Sequence, residues 1–151
     1  MALCFPDTSC LIHLERIERL DLLQALYDDL HVPPAVRDEF GRVPEGFAVE
    51  EVSSPGLVRL LRRTLDAVES EVIALGMRFG EAHLILDDGA ARREAKDLDL
   101  TVIGTVGLVL RAQRAGHLPA AKPVLDALRG TGFWISDALY EHALRRAGED
   151  H

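Results

Sequence analysis

The chain has 151 residues, of which 48% are apolar, so it can bury the core of one compact domain but is short for two. Its 17 Lys and Arg against 25 Asp and Glu give a formal net charge of −8, which argues against a broad basic surface for a polyanion. The two cysteines, Cys4 and Cys10, match neither a disulfide framework nor a zinc motif, and this favours a reduced, cytoplasmic setting. The sequence has no signal-like start and no apolar run long enough to cross a bilayer, so neither export nor membrane insertion is expected.

Short β-branched runs alternate with amphipathic segments, and this pattern predicts an α/β fold with a mostly parallel sheet covered by helices. Strands are predicted near 2–6, 47–52, 83–87, 100–103 and 132–135. Helices are predicted at about 9–15 and 19–28, and then from Pro33-Pro34, from Ser53-Ser54-Pro55, between Asp66 and Gly80, between Gly104 and Gly116, between Pro123 and Gly130, and from Ser136-Asp137. No linker divides these elements, so residues 1–151 are expected to form a single domain.

Acidic side chains occur where several of these elements end. Asp7 follows the first strand, Asp87 follows the third, and Glu39 lies late in the helix that begins at Pro33-Pro34. Open α/β sheets bind ligands at the carboxyl ends of their strands, and acids gathered there repel one another unless a divalent cation lies among them. The sequence therefore predicts a metal site. Taken singly, Asp7 could be only a helix N-cap and Glu39 only a solvated surface residue.

For several of the acids the sequence leaves two roles or two candidate residues open. Asp66 and Glu69 have the spacing of a capping box, in which the Glu69 carboxylate bonds back to the start of its helix. Glu71 competes with Glu69 for a place in the site, but it lies about 200° around the helix, so one pocket is not expected to use both. Asp87 and Asp88 precede another helix, so one of them should cap it and the other should be free for chemistry.

An ordered set of segments resembles the PIN-domain family: Asp7-Thr8-Ser9-Cys10-Leu11-Ile12, then Val32-Pro33-Pro34-Ala35-Val36 through Glu39, then Leu86-Asp87-Asp88. A second set is similar to the DUF3368 branch of that family, which consists of VapC-like nucleases: Val102-Ile103-Gly104-Thr105-Val106-Gly107, Gly116-His117-Leu118-Pro119, Leu125 through Gly132-Phe133, and Ile135-Ser136-Asp137. Together they run from about residue 2 to 147. The resemblance implies a PIN-like three-layer α/β/α sandwich with a mostly parallel central sheet.

The resemblance also carries the four acids of the family onto residues of this chain. The catalytic metal ligands are expected to be Asp7, Glu39, Glu69 and Asp87. The residues expected around them are Thr8, Ser9, Asp88 and Arg92. Where the branch reads Gly-Glu-Ala-Glu-Ala-Ile, this chain reads Val68-Glu69-Ser70-Glu71-Val72-Ile73, so Glu71 stays an alternative third acid. Glu69 is preferred because it precedes Asp87 by 87 − 69 = 18 residues, a spacing similar to that in PIN proteins.

The function implied by the resemblance is that of a Mg²⁺- or Mn²⁺-dependent endoribonuclease, the toxin of a type II toxin–antitoxin pair. Carboxylate oxygens suit these hard cations, which would also screen an acidic pocket from the RNA backbone. The expected partners are a single-stranded or looped RNA, a small antitoxin protein and a second copy in a homodimer. The alternative is a PIN-like module that binds or regulates without catalysis, because Val68 replaces the glycine of the branch.

Other side chains are expected to have ordinary roles. The arginine clusters have helical spacing typical of solvated faces. The histidines at four scattered positions are expected to be structural or on the surface: His13, His83, His117 and His142. An aromatic content of 5% argues against a platform for stacking bases.

Overall fold

The computed structural model describes residues 2–149, so Met1, Asp150 and His151 of the predicted 1–151 domain lie outside the described part. The strands are β1 (Leu3–Pro6), β2 (Asp29–Val32), β3 (Ala48–Val49), β4 (His83–Ile85) and β5 (Thr101–Ile103). The helices are α1 (Thr8–Arg16), α2 (Asp21–Leu26), α3 (Pro34–Phe40), α4 (Pro55–Leu61), α5 (Ala67–Arg78), α6 (Gly89–Asp97), α7 (Thr105–Arg114), α8 (Lys122–Gly130) and α9 (Asp137–Ala147). None of the helices within residues 2–149 has both the length and the apolar character that crossing a membrane requires.

The five described strands form one sheet in the order β3-β2-β1-β4-β5, and every neighbouring pair is parallel. Parallel neighbours need long crossover connections, which the helices supply while they cover the faces of the sheet. The predicted PIN-like three-layer α/β/α sandwich is therefore confirmed, with a described sheet that is parallel throughout.

The strands differ from the prediction in three places. The segment 132–135 is a loop, because Gly132 turns the chain with a φ of 91° and the Trp134 side chain next to it is exposed. The strand β2 was not predicted, since Val32 is its only β-branched residue. Tertiary pairing with β1 and β3 on its two sides is what makes this segment a strand. The strand predicted at 47–52 shortens to the two residues of β3.

The sheet is buried on both faces, as expected of parallel strands between two helical layers. Phe5 of β1 and Leu84 of β4 are completely buried. Helix α5 packs so closely over β4 that a Cβ added at Gly76 would lie 2.8 Å from Leu84 Cδ1. The glycine therefore sets the separation between the helix that carries Glu69 and the strand that leads to Asp87.

The order of the strands reverses at β1. From β1 the chain proceeds to β2 and β3 on one side, and then returns to β4 and β5 on the other. Open α/β sheets bind ligands at such a switch point, outside the carboxyl ends of the strands. The register pairs Pro6 of β1 with Ile85 of β4, and the Asp7 amide donates to the Ile85 carbonyl at 2.9 Å. The fold thus brings Asp7 and Asp87 together at its preferred ligand-binding edge.

The cysteines belong to the core and not to a redox or metal site. Cys4 in β1 and Cys10 in α1 are free thiols, and both are completely buried. Burial raises the pKa of each thiol, so the protonated form is favoured. Their roles are those of small apolar side chains.

Candidate active site

A cavity of about 800 Å³ opens at the carboxyl ends of β1 and β4. The four acids predicted as metal ligands all line it, and each comes from a different segment: Asp7 after β1, Glu39 in α3, Glu69 in α5 and Asp87 after β4. The residues predicted to surround them also line this cavity: Thr8, Ser9, Asp88 and Arg92. The structure therefore gathers acids that lie far apart in the sequence.

Asp7 is both a helix cap and part of the cavity wall. Its Oδ1 accepts a hydrogen bond from the Cys10 amide at 2.8 Å, which caps α1, and its Oδ2 accepts one from the Asp87 amide at 3.1 Å. Only 6% of the residue is exposed. Burial, and then the charge of Asp87, raise the pKa of the Asp7 carboxyl to about 8, although its two backbone hydrogen bonds oppose the shift. A carboxylate in this setting needs a proton or a cation.

Asp87 is oriented by Thr105, a residue that sequence reasoning did not single out for the site. The Thr105 amide donates to Asp87 Oδ1 and the Thr105 hydroxyl donates to Asp87 Oδ2, both at 2.7 Å. Thr105 is the first residue of α7, so the carboxylate also lies at the positive end of that helix. Its position in the sequence could have indicated this role, because Thr105 follows β5 and therefore lies at the same edge of the sheet as Asp87.

One of Asp87 and Asp88 was predicted to cap the next helix, and that residue is Asp88. It caps α6 by accepting a hydrogen bond from the Ala91 amide at 3.0 Å, and both aspartates line the cavity. Gly104 keeps the space beside Asp87 open, because a Cβ there would lie 3.2 Å from Asp87 Oδ1 and 3.2 Å from Arg92 Nη1. Arg92 thus provides positive charge next to the acids.

Glu69 and Glu71 point to different cavities. Asp66 and Glu69 form the predicted capping box: Asp66 Oδ1 accepts from the Glu69 amide at 2.8 Å, and Glu69 Oε1 accepts from the Asp66 amide at 3.2 Å. Burial raises the pKa of the Glu69 carboxyl. Glu71 instead accepts a hydrogen bond from the Ala35 amide at 3.0 Å and lines a separate cavity of about 650 Å³. The structure brings Glu69, and not Glu71, to the cavity that holds Asp7 and Asp87.

Glu39 and Thr8 complete the oxygen-rich wall in different ways. Glu39 is exposed near the end of α3 and lines both cavities. Thr8 is buried, and among residues 2–149 its Oγ1 has no hydrogen-bond partner. A buried hydroxyl without a partner is costly, which indicates that it meets a ligand or a water in the working protein.

The donor atoms fit a hard divalent cation such as Mg²⁺ or Mn²⁺, because they are carboxylate and hydroxyl oxygens. The raised pKa of Asp7 and the unpaired hydroxyl of Thr8 fit the same interpretation. Within the described residues, however, no group of three or more Asp, Glu, His or Cys side chains lies close enough together to hold a metal ion. Glu39 is exposed, so its side chain has room to move toward the other acids, whereas Glu69 is half-buried and bonded in its capping box.

Several lining residues were missed by sequence reasoning. They are His13, Phe133, Trp134, Leu139 and His142, which come from α1, the loop before α9, and α9 itself. His13 fits its expected structural role in one respect, because its Nδ1 bonds Thr131 Oγ1 at 2.7 Å. Since the Thr131 hydroxyl donates to the Leu128 carbonyl, His13 Nδ1 must be the donor, and its Nε2 is left as an acceptor. Burial lowers the pKa of His13, which favours this neutral form.

Comparison with known proteins adds one match. The sequence profile of the DUF3368 family, described as a PIN domain, matches residues 4–149. No curated protein and no solved structure gave a match. The matched range begins at the second residue of β1, runs through α9 and contains all four acids of the cavity.

Proposed function

Because this chain belongs to the DUF3368 family of PIN domains, a nuclease fold, we propose that it is an endoribonuclease that depends on Mg²⁺ or Mn²⁺. The observation that carries the proposal is the meeting of four acids from four separate segments in one cavity at the switch point of the sheet. The proposed metal ligands and catalytic residues are Asp7, Glu39, Glu69 and Asp87.

The side chains have distinct roles in this proposal. Asp7 and Asp87 would hold the cation from the sheet, with Thr105 fixing the orientation of Asp87 through two hydrogen bonds. Glu69 and Glu39 would hold it from the helices. When bound, Mg²⁺ or Mn²⁺ supplies positive charge that offsets the carboxylates and polarises the phosphodiester. Arg92 lies on the same wall, where its guanidinium can contact an oxygen of the substrate.

The biological role in the proposal is that of a type II toxin with an antitoxin as inhibitor. This role, the homodimer, the cytoplasmic location and the organisation as one domain are supported by the family and by the VapC-like resemblance of the sequence. An expression test addresses it: growth arrest on expression of this chain, relieved by co-expression of the neighbouring gene, is the expected result. Equal growth with the native chain and with Asp7→Asn would contradict it.

A second candidate function is a PIN-like binding or regulatory module without catalysis. It is favoured by the absence, within residues 2–149, of three ligands already at metal-binding separation. It is also favoured by Val68, which stands where the branch has glycine and whose side chain is buried against the cavity.

RNA cleavage by the purified protein separates the two candidates. We expect cleavage in Mn²⁺, none in EDTA, and products with a 5′-phosphate and a 3′-hydroxyl. Glu69→Gln should lower the rate about 10-fold or more, because glutamine keeps the capping box but removes the charge. Glu71→Gln is the matched control on the same helix and should stay within about 2-fold of the native rate. Absence of cleavage by the native chain under all these conditions would favour the non-catalytic module.

A further inference from the structure

Trp134 is the only tryptophan of the chain, and it lies in the loop between α8 and α9. Trp134 is 81% exposed, which is the highest value among the large apolar residues that the structure describes. Trp134 also lines the cavity that contains the four acids. A large indole in water at the mouth of a candidate active site indicates a contact that a ligand completes.

The loop that carries Trp134 is fixed on both sides. Arg129 donates to the Ile135 carbonyl at 2.7 Å, and Ile135 itself is buried. On the other side, the Phe133 ring packs edge-on against His13, with ring centroids 5.0 Å apart. The backbone that carries the indole is therefore held at the cavity before a ligand binds.

The surroundings favour a nucleobase over a protein surface. Of the exposed large apolar side chains, Trp134 and Leu139 line the cavity, whereas Leu60 and Met77 lie on α4 and α5 and do not. The exposed apolar area at the cavity is thus limited to two side chains, and the same cavity contains the four acids. A flat base can stack on one indole while its phosphate approaches the cation site, and each base has a π-face for this purpose.

We propose that Trp134 is a stacking site for an unpaired nucleobase of the RNA, next to the phosphate that is cut. This inference rests on the proposed ribonuclease function and names a contact that binds its substrate. An aromatic content of 5% argued against a platform of several rings. One indole at the mouth of the cavity is enough for one base.

The test uses the single tryptophan as its own probe. Native protein with Mn²⁺ is mixed with an RNA of about eight nucleotides, and with an abasic backbone of the same length, while indole fluorescence is recorded. We expect saturable quenching by the RNA and none by the abasic chain. In steady-state cleavage, Trp134→Ala should lower kcat/KM about 5- to 100-fold, whereas Trp134→Phe should stay within about 3-fold of native. Met77→Ala, an exposed residue away from the cavity, is the control and should match native.

The specific prediction is non-additivity between protein and RNA. Removing the one stacked base from the substrate should cost the native enzyme about as much as Trp134→Ala does, and should cost the variant nothing further. Cleavage by native protein with no quenching and an unchanged kcat/KM for Trp134→Ala would overturn the stacking site but leave the nuclease intact. Quenching without cleavage would overturn the nuclease and leave a nucleobase site. If Trp134→Ala instead abolished self-association, with unchanged RNA affinity, the residue would belong to a protein interface and the inference would be wrong.

Discussion

The candidate site has two halves that are built differently. The inner pair, Asp7 and Asp87, follows adjacent strands, and each carboxylate accepts two hydrogen bonds. Asp7 accepts them from the Cys10 and Asp87 amides, and Asp87 accepts both from Thr105. The outer pair, Glu39 and Glu69, comes from two helices, where Glu39 is exposed and Glu69 is half-buried with one hydrogen bond to its carboxylate. The fold therefore holds the inner half of the site through more hydrogen bonds than the outer half.

The sheet positions the inner pair of acids but not the outer pair. Backbone pairing of β1 with β4 places Asp7 beside Asp87 in a buried position, and burial, followed by the charge of Asp87, raises the pKa of Asp7. A bound cation offsets the free-energy cost of burying a charged Asp7, whereas Glu39 is exposed to solvent. We therefore expect the inner pair to dominate both cation binding and catalysis.

The largest effects should come from charge removal in the inner pair. Asp7→Asn or Asp87→Asn should lower RNA cleavage about 1,000-fold or more, because several kcal/mol of transition-state stabilisation are lost with the cation. Glu39→Gln should lower it only about 10- to 100-fold. Single-turnover rates in Mn²⁺ measure these effects. A Glu39→Gln loss as large as that of the inner pair would remove the distinction between the halves.

The next effect is on stability as a function of pH. The folded protein keeps the proton of Asp7 up to about pH 8, whereas the ordinary value for this carboxyl is 3.8. The folded state therefore binds more protons between these values, and the free energy of unfolding should fall as pH rises through this window, on the order of 5 kcal/mol in EDTA. Asp7→Asn should remove the fall, and Mn²⁺ should reverse it in the native chain.

Urea unfolding at pH 4, 6 and 8 measures this dependence. The exposed Asp97 supplies a control, since Asp97→Asn should leave the slope as it is in the native chain. If the free energy of unfolding of the native chain in EDTA were the same across this range, folding would not raise the pKa of Asp7.

A smaller effect should follow when the support of the inner pair is loosened. Thr105→Val keeps the size of the side chain but removes the hydroxyl that donates to Asp87 Oδ2, so cleavage should fall about 10-fold. Thr105→Ser restores the hydroxyl and should restore most of the rate. The apparent Mn²⁺ affinity should move with the rate, which a purely structural role would not require. Equal rates for the valine and serine variants would mean that the hydroxyl does not position Asp87.

The placement of Asp7 and Asp87 at one edge of the sheet could be predicted from the sequence, because the local pattern and the rule for parallel sheets agree there. Apolar runs followed by Asp7 and Asp87 identify strand ends, and parallel strands bring such ends to one edge. For two of the acids, however, capping a helix and lining the cavity turned out to be compatible roles. Asp7 caps α1 and also lines the cavity, and Glu69 belongs to a capping box and also lines the cavity.

What the sequence did not predict depends on contacts between distant residues. The strand β2 exists because β1 and β3 pair with it, and Thr105 reaches Asp87 only because β4 and β5 are neighbours. Trp134 was included in a predicted strand, although the turn at Gly132 takes it to the mouth of the cavity. These contacts join residues far apart in the sequence, so no local sequence pattern could predict them.

The most direct test of the proposed cation site is the titration of Mn²⁺ into metal-free protein by electron paramagnetic resonance, with the native chain, Asp7→Asn, Asp87→Asn and Glu71→Gln compared at pH 8. We expect saturable binding by the native chain, an affinity lower by about 10-fold or more for both inner-pair variants, and native affinity for Glu71→Gln. Native affinity in Asp7→Asn and Asp87→Asn would contradict a cation site built on the inner pair.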